Sequence, residues 1–325
     1  MLTRRDMLAA SAAFIAAGAG GARADAIDRP VKMIIGFPAG GGTDVIGRVL
    51  AQKLDGAYAK TVVVENRPGA AARVSVEAVK SAEPDGTTML FTPDFPLTVY
   101  PYSFKSLSYD PLKDLTPVAP ASSSMLTFNV GPAVPASVKT VKDFLAWAKA
   151  NPGKASYATT SAGSTPHFVG VMLSSASGVA LQPIHYRGGA PALQDLVGGH
   201  IPASINPISE AMPLAAQGAI RILAVTGPRR SRFLPDIPTL RESGYDVGIE
   251  SWLGVFLPAG APPAVVEALN GAIQAAVREP DYADSIAKFG GEPMLMSAAD
   301  FAARLKADVA KWGPIVKASG FVATD

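Results

Sequence analysis

The sequence contains no cysteine and three histidines among its 325 residues. Disulfide bonds and thiolate chemistry are therefore excluded, and burial of apolar side chains must hold the fold together. His167, His185 and His200 belong to no H-E-x-x-H pattern and to no clustered metal-ligand spacing. We accordingly predict no metal site, no cofactor and no catalytic residue.

Long apolar runs are also scarce. The alanine-rich run after Arg4-Arg5 is too short to span a membrane, and it ends near Ala22-Arg23-Ala24, whose small residues have the spacing of a cleavage site. This pattern predicts a signal peptide over residues 1–24, of the twin-arginine type, and export to the periplasm. The alternative is a general secretory signal in which the two arginines have no special role.

Neither sign of charge is in excess. Removal of residues 1–24 takes away three arginines and one aspartate from totals of 29 and 27, which leaves 26 basic and 26 acidic side chains. A neutral protein is not built to bind nucleic acid or an anionic membrane. About 300 residues remain, enough for two domains with cores of their own. We expect a monomer without a nucleic-acid partner.

Beyond the leader, short β-branched runs alternate with amphipathic helical patterns. The predicted strands cover residues 31–35, 61–65, 88–92, 126–130, 155–159, 181–185, 220–226 and 252–257. A clear helix is predicted at 140–150, and residues 263–318 are predicted to be nearly all helical. This alternation favours an α/β fold with largely parallel sheets.

The most informative stretch is MIIGFPAGGGTD at 33–44, where a strand passes through a glycine loop into a helix. A helix start directs unpaired N–H groups and the positive end of its dipole to one point, which suits an anion. Thr43 is expected to cap the helix, and Asp44 suits its first turn. Gly42-Thr43 stands where a nucleotide-binding P-loop requires Lys-Ser/Thr. The alternative is a glycine turn that only allows strand and helix to pack.

Two further strand-to-helix turns follow the same plan. In the segment 158–167, Thr165 is expected to cap a helix and Pro166 to take its first position. The segment YRGGAP at 186–191 leads into a third helix. Ligands of open α/β sheets lie beyond the carboxyl ends of strands, at turns of this kind.

The chain resembles the Bug (TctC-type) extracytoplasmic solute receptors of tripartite tricarboxylate transporters. The resemblance is carried by GFPAGGGTDVIGRVLAQKL, VVVENRPGA, PDGTTMLF, YDPLKDLTPVA, LAWAKANPGKASYATTSAGSTPHF, YRGGAPALQDLVGGHI, LAVTGPRRSRFLPDIPTLRESGY, SWLGVFLPAGAP and AKWGPIVKASGF, in this order. It implies a two-lobed periplasmic-binding-protein fold of type II, with the ligand cleft between the lobes. It also implies that residues 27–124 and 226–325 form lobe one and residues 125–225 form lobe two.

By the same resemblance the ligand is a small carboxylate, and closure of the lobes brings helix starts from both sides onto one anion. Phe37 and Pro38 are expected to form a wall of the site and keep it dry. The expected ligand contacts are Phe37, Pro38, Ala39, Gly40, Gly41, Gly42, Thr43, Asp44, Thr92, Thr160, Ser161, Gly163, Ser164, Thr165, His167, Tyr186, Gly188, Ala190 and Asn206. The alternatives are that Thr43 and Thr165 act only as helix caps, that His167 is a structural histidine and that Tyr186 lies at the rim of the site.

Departures from the family pattern leave the identity of the carboxylate open. Arg73 follows Ala71-Ala72 where the family has a glycine-glycine-asparagine run, and Asn206 stands where the family often has an acidic residue. Arg73 lies either at the mouth of the cleft or on an exposed helix start. These changes are compatible with a longer or an aromatic acid.

The resemblance implies a periplasmic solute-binding protein that delivers its carboxylate to the large and small membrane subunits of the transporter. One alternative is a receptor that presents its closed state to a two-component system. Another is a secreted α/β hydrolase with Ser161 or Ser164 as nucleophile, which the missing G-x-S-x-G pattern disfavours.

Overall fold

The computed structural model describes residues 27–186 and 188–322, so the predicted signal peptide lies outside the described residues. Six strands form a first sheet: β1 (Val31–Ile35), β2 (Val62–Asn66), β3 (Thr88–Pro93), β4 (Leu115–Ser124), β10 (Ser251–Pro258) and β11 (Gly291–Pro293). Their order is β11-β4-β10-β3-β1-β2. Five strands form a second sheet: β5 (Leu126–Val130), β6 (Ser156–Thr159), β7 (Gln182–His185), β8 (Ala203–Pro207) and β9 (Arg221–Val225). Their order is β7-β6-β8-β5-β9.

Helices cover both faces of each sheet. They are α1 (Gly42–Leu54), α2 (Arg73–Lys80), α3 (Phe95–Thr98), α4 (Tyr100–Ser103), α5 (Val141–Ala150), α6 (Thr165–Ser177), α7 (Gly189–Val197), α8 (Ile208–Ala216), α9 (Pro263–Val277), α10 (Pro280–Ala287) and α11 (Ala298–Ser319). Short 3₁₀ turns occupy Ala70–Ala72 and Pro152–Lys154. Within the described ranges, no helix is both long and apolar enough to cross a membrane.

The expectation of largely parallel sheets was wrong. β1 pairs in parallel with β2 and β3, and β6 with β7 and β8. β10 is antiparallel to β3 and β4, β11 to β4, and β5 to β8 and β9. The physical reason is that β4 carries the chain from the first sheet towards the second while β10 carries it back. Two such strands that lie side by side must run in opposite directions.

The predicted helix at 140–150 is confirmed as α5. Thr140 is its N-cap, and its side chain forms a reciprocal capping box with Asp143. The buried residues of α5 are Val141, Phe144, Leu145 and Ala148, which are spaced on one face. The predicted helical region 263–318 contains α9, α10 and α11; a short turn separates α9 from α10, and residues 288–297, which include the short strand β11, separate α10 from α11.

The cores lie between the sheets and their helices. In the first sheet, Met33 and Phe91 pack on the side of α1 and α9, and Ile34 packs on the side of α2 and α11. In the second sheet, Phe128 packs towards α5 and α6. Ala158 packs on the opposite side, towards α7 and α8.

The two chain crossings between the sheets lie next to each other. The first runs from β4 through Met125 into β5, and the second leaves β9 at Thr226. The Thr226 hydroxyl accepts a hydrogen bond from the Leu126 N–H (3.0 Å) and donates one to the Ile249 carbonyl (2.8 Å). Thr226 is fully buried. One side chain therefore ties the outgoing and returning chains together at the point where a hinge between two lobes would bend.

Candidate functional site

The glycine loop between β1 and α1 presents the start of a helix to solvent. Residues 38–42 are exposed, and α1 begins at Gly42 after an extended N-cap at Gly41 (φ −75°). The prediction that Thr43 caps this helix was wrong, because Thr43 is the second helical residue and no side chain caps α1. Gly40 has φ +83°, a backbone conformation that favours glycine.

This helix start has free donors. Among the residues that the structure describes, the backbone N–H groups of Gly42, Thr43 and Asp44 have no hydrogen-bond acceptor. They are the first donors of a helix of 13 residues, so the positive end of its dipole adds to them. The loop can accordingly bind an anion with neutral backbone groups.

Asp44 is buried and committed to the loop itself. Its Oδ2 accepts hydrogen bonds from the Gly40 N–H (2.9 Å) and from Arg48 Nε (2.9 Å), and its Oδ1 accepts one from Asn66 Nδ2 (2.8 Å). Asn66 Nδ2 also donates to the Phe37 carbonyl (3.0 Å). Burial opposes ionisation of Asp44, but these hydrogen bonds outweigh it and lower the pKa of the carboxyl. Asp44 is therefore ionised, and together with Arg48 and Asn66 it forms a brace that holds the conformation of the loop.

Two residues of this brace, Arg48 and Asn66, were missed by sequence reasoning. The four-residue spacing of Asp44 and Arg48 on a predicted helix was the available signal for one of them. Asn66 ends β2, and its link to the loop depends on the parallel register that sets Ile35 opposite Asn66. Nothing in the local pattern indicated that pairing.

The loop between β6 and α6 is held by its own hydroxyl groups. Ser164 Oγ donates to the Ser161 carbonyl (2.7 Å), and Thr159 Oγ1 donates to the same carbonyl (3.0 Å). α6 begins at Thr165 with Ser164 as its N-cap residue and Pro166 in its second position, so the predicted cap at Thr165 was wrong. The helix starts one residue earlier than the proline rule suggested.

His167 is buried in a cage of rings. Its Nδ1 accepts the Gly163 N–H (3.2 Å), which leaves the proton on Nε2. Ring centroids of His185, Phe168 and Phe321 lie 4.6, 4.9 and 5.2 Å from its own. Burial, together with the nearby His185, lowers the pKa of His167 to about 4, so the imidazole is neutral at pH 7. These contacts favour the interpretation of His167 as a structural histidine over that of a ligand contact.

In the loop before α7, Gly188 contacts the loop between β6 and α6, and Tyr186 contacts α7 itself. The Gly188 N–H donates to the Thr160 carbonyl (2.8 Å), and the Tyr186 hydroxyl donates to Asp195 Oδ2 (2.6 Å). Loss of solvent and the hydrogen bond to Asp195 raise the pKa of Tyr186 to about 12. The Tyr186 hydroxyl therefore supports α7.

A carboxylate of the protein already lies at the start of α7. Any Cβ added at Gly189 would collide with the carboxylate of Glu210. Asn206 Nδ2 donates to Glu210 Oε2 (3.0 Å), and loss of solvent raises the pKa of Glu210 above its usual range. Sequence reasoning missed Glu210, since it lies on α8 and approaches α7 only through the tertiary fold.

Three expected site residues carry buried side-chain oxygens without a partner among the described residues: Thr92 Oγ1, Thr165 Oγ1 and Asn206 Oδ1. Thr92 lies near the end of β3, Asn206 near the end of β8, and Thr165 at the start of α6. A buried polar atom without a partner costs about 1–3 kcal/mol. Such atoms at the carboxyl ends of strands are consistent with a site that contributes hydrogen-bonding groups to a ligand.

The expected contacts divide by exposure. Pro38, Ala39, Gly40, Gly41, Gly42, Ser161 and Ala190 are exposed; Phe37, Thr43, Thr160, Tyr186 and Gly188 are half-buried; Asp44, Thr92, Gly163, Ser164, Thr165, His167 and Asn206 are buried. Hydrogen bonds join the loop between β6 and α6 to the loop before α7. Within residues 27–186 and 188–322, no hydrogen bond joins the glycine loop to either of them. A short segment bridges the gap: Phe289 lies beside Gly42, and Gly290 lies against the backbone N of Ser209 at the start of α8.

Arg73 begins α2 beside a strained turn. Ala70, Ala71 and Ala72 all have positive φ (44°, 56° and 72°), a costly backbone conformation for alanine. Arg73 Nε donates to the Ala70 carbonyl (2.9 Å), and its guanidinium lies 4.1 Å from the centre of the Phe104 ring. Ala72 itself packs on Gly36, where an added Cβ would lie 2.6 Å from the Ala72 Cβ. The turn at 70–72 therefore contacts the first residue of the glycine loop.

Comparisons with known proteins agree with this architecture. The family model described as tripartite tricarboxylate transporter family receptor matches residues 46–321. A UPF0065 protein in the gbd 5' region of Cupriavidus necator is 34% identical over 323 residues, with 98% of this chain and 97% of that protein covered. Protein BugT of Bordetella pertussis is 31% identical, with 90% of each chain covered.

Solved structures show the same fold. A protein of R. palustris solved with adipate has a TM-score of 0.78 at 28% identity and covers 90% of this chain and 98% of its own. MatC of Rhodopseudomonas palustris, solved with bound malate, has a TM-score of 0.73 at 25% identity, with coverages of 89% and 99%. The predicted α/β fold of a periplasmic binding protein and the resemblance drawn from the motifs are both confirmed. This chain belongs to the TctC family, the receptors of tripartite tricarboxylate transporters.

Proposed function

We propose that this receptor captures a small carboxylate in the periplasm and delivers it to the membrane subunits of a tripartite tricarboxylate transporter. The observation that carries the proposal is the start of α1, where the N–H groups of Gly42, Thr43 and Asp44 have no acceptor among the described residues and face an exposed loop. Hydrogen bonds to a charged group contribute about 1.5–3 kcal/mol each. Three such donors favour an anionic group, of which a carboxylate is one.

The proposed lobes follow the two sheets. Residues 27–124 and 226–325 would form lobe one with the first sheet, and residues 125–225 would form lobe two with the second sheet. This division is supported by the adjacent crossings at Met125 and Thr226, since the hydrogen bonds of Thr226 confine the bend to one place. Closure about that hinge would bring the loops at 160–165 and 186–190 towards the glycine loop.

The ligand class is supported by relatives as well as by the loop. Two structures of similar fold were solved with dicarboxylates, adipate and malate. We assign the carboxylate to the backbone donors of α1, with the ring of Phe37 beside them. Phe37 lies edge-on to Phe95 (6.1 Å between centroids), and Phe95 contacts Tyr100 in the same way (5.6 Å). This row of rings can accommodate an apolar chain or ring attached to the carboxylate.

The hydrolase alternative receives no support from Ser164, which is one of the two candidate serines, the other being Ser161. Ser164 Oγ donates to a carbonyl rather than to a base, and Nδ1 of the neighbouring His167 is occupied by the Gly163 N–H. A serine nucleophile requires a hydrogen bond to a general base. We therefore propose binding without catalysis.

A thermal-shift screen tests the proposed ligand class. Adipate, malate, citrate and benzoate would each be compared with the corresponding neutral amide. A ligand that binds only the folded protein adds about 2.7 kcal/mol of stability at a hundredfold excess over its Kd. We expect at least one acid, and none of the amides, to raise the Tm. Stabilisation by the amides, or by neutral sugars alone, would contradict the proposal.

Export is tested separately. Protein recovered from the periplasm should begin at Asp25 or Ile27, as measured by mass spectrometry. Full-length protein confined to the cytoplasm would contradict the predicted signal peptide.

A further inference from the structure

The last helix of the chain reaches from one sheet to the other. Phe301, near the start of α11, packs against Trp252 and Phe256 of the first sheet (5.0 and 5.3 Å between centroids). Trp312, near its end, contacts Phe168 on α6 beside the second sheet (5.8 Å). The closing sequence motif that contains Trp312 therefore lies where the two halves of the molecule meet.

The chain turns back towards a binding loop after this helix. α11 ends at Ser319, and Gly320 (φ +66°) is its left-handed C-cap. The Gly320 N–H donates to the Lys317 carbonyl (3.2 Å), and the Phe321 N–H donates to Ser319 Oγ (3.1 Å). These two hydrogen bonds hold the backbone that carries Phe321 directly after the helix.

The ring of Phe321 covers Gly163 and His167. A Cβ added at Gly163 would lie 2.7 Å from Phe321 Cε1, closer than real Cβ contacts. The ring also lies edge-on to His167 (5.2 Å) and to Phe168 (5.8 Å). Gly163 has φ +69° and donates its N–H to His167 Nδ1 (3.2 Å). One aromatic ring thus covers the left-handed glycine of the 160–165 loop and the imidazole that accepts its N–H.

We propose that Phe321 is a positioning residue for carboxylate binding, which acts by holding the 160–165 loop through Gly163 and His167. The inference rests on the proposed function, because it assumes that this loop contacts the carboxylate. The hydroxyl groups of Ser164 and Thr159 fix the Ser161 carbonyl from within the loop. From outside the loop, the Gly188 N–H donates to the Thr160 carbonyl, and Phe321 supplies a second contact at the end of a helix that also packs on the first sheet. The role of Phe321 is therefore to hold the loop in the position from which it contacts the ligand.

Three single variants test the proposal. Phe321→Ala removes the ring, Phe321→Leu keeps apolar packing, and Val322→Ala is the matched control, since the side chain of Val322 is 51% exposed. Titration calorimetry would use whichever of adipate, malate, citrate and benzoate gives the largest thermal shift with the unmodified protein. Coupled positions of this kind change affinity by about 2- to 30-fold. We expect a loss in that range for Phe321→Ala, partial recovery for Phe321→Leu and no change for Val322→Ala.

A double-mutant cycle separates positioning from a general loss of stability. Gly163→Ala should weaken binding in the presence of the Phe321 ring, because the new methyl group and the ring compete for one space. In the Phe321→Ala background the methyl group has room, and the backbone strain at Gly163 is common to both backgrounds. The loss of affinity caused by Gly163→Ala should then be smaller. Circular dichroism would establish that all four proteins are folded.

The outcomes are distinct. If the unmodified protein binds none of the acids, the proposed function fails and this inference fails with it. If the unmodified protein binds an acid but Phe321→Ala binds it equally well, only the positioning role is overturned. An equal effect of Gly163→Ala in both backgrounds would likewise overturn it, since the ring would not act through Gly163.

Discussion

Replacing Gly41 by Asp tests whether backbone donors bind the carboxylate. The backbone at Gly41 is extended (φ −75°, ψ 162°), which any residue adopts. Among the described residues, an added Cβ has only the Pro38 carbonyl oxygen nearby, at 3.5 Å. Asp is a favourable N-cap residue, and a negative charge at a helix start contributes about 0.3–1 kcal/mol of stability. The variant should therefore fold with an unchanged or slightly higher free energy of unfolding.

The same side chain should abolish or strongly weaken carboxylate binding. The new carboxylate competes for the donors of Gly42, Thr43 and Asp44 and repels a bound anion. Two like charges about 4 Å apart repel by about 1 kcal/mol in bulk water and about 4 kcal/mol at an effective dielectric constant of 20. The Kd should therefore rise by about 5-fold to about 900-fold. Because this loop is exposed, salt should reduce the effect.

Gly41→Asn is the matched control, since it has the same size and capping ability without the charge. Titration calorimetry of both variants at low and high salt measures the difference, and urea unfolding verifies their stability. Equal affinity of Gly41→Asp and the unmodified protein would refute the backbone-donor explanation. An equal loss in Gly41→Asn would attribute the effect to the size of the side chain or to its capping of the donors, rather than to charge.

Three further predictions concern side chains around the site and the hinge. The pKa of His167 is lowered from 6.5 to about 4, so between these pH values only the unfolded state binds the proton. The free energy of unfolding should therefore fall by up to about 3 kcal/mol as pH falls from about 6.5 to 4. Urea unfolding should show a weaker pH dependence for His167→Gln than for the unmodified protein, and an equal dependence would contradict this. Thr226→Val removes the hydrogen-bond partner of the buried Leu126 N–H and of the buried Ile249 carbonyl. The free energy of unfolding should therefore fall by about 2–4 kcal/mol. An unchanged free energy of unfolding would refute the role of Thr226 in joining the two crossings. Arg73→Ala should weaken carboxylate binding by about 1 kcal/mol or less in calorimetry, because the Ala70 carbonyl and the Phe104 ring already hold the guanidinium; complete loss of binding would show that the arginine is the anion site.

Local pattern was sufficient to predict most elements that border the site. The strands at 31–35 and 126–130 have their predicted bounds, and the amphipathic helix at 140–150 begins after the Thr140 cap. These segments obey simple rules, since β-branched residues favour strands and a capping residue marks a helix start.

Strand β4 could not be predicted in this way. It contains Pro117 and Pro120, which argue against a strand, and its pairing with β10 shifts register close to both prolines. Bulges of this kind accommodate a residue without an N–H group, and they depend on the partner strand. The antiparallel pairing that follows was invisible for the same reason.

The site was predictable as a set of loops but not as a network. The glycine pattern at 36–42 indicated unpaired N–H groups, and the start of α1 has them. The buried brace of Asp44, Asn66 and Arg48 depends on strand register, and the contact of Glu210 with Gly189 depends on the packing of α7 against α8. Contacts between segments distant along the chain leave no local pattern.

The central claim is that the N–H groups at the start of α1 bind the carboxylate. The most direct measurement is a ¹H–¹⁵N spectrum of the isotope-labelled protein, titrated with the acid that gives the largest thermal shift among adipate, malate, citrate and benzoate. We predict saturable shifts of the amide signals of Gly42, Thr43 and Asp44, and none with the corresponding amide compound. Saturable binding of the acid that leaves these three signals unmoved would contradict the claim.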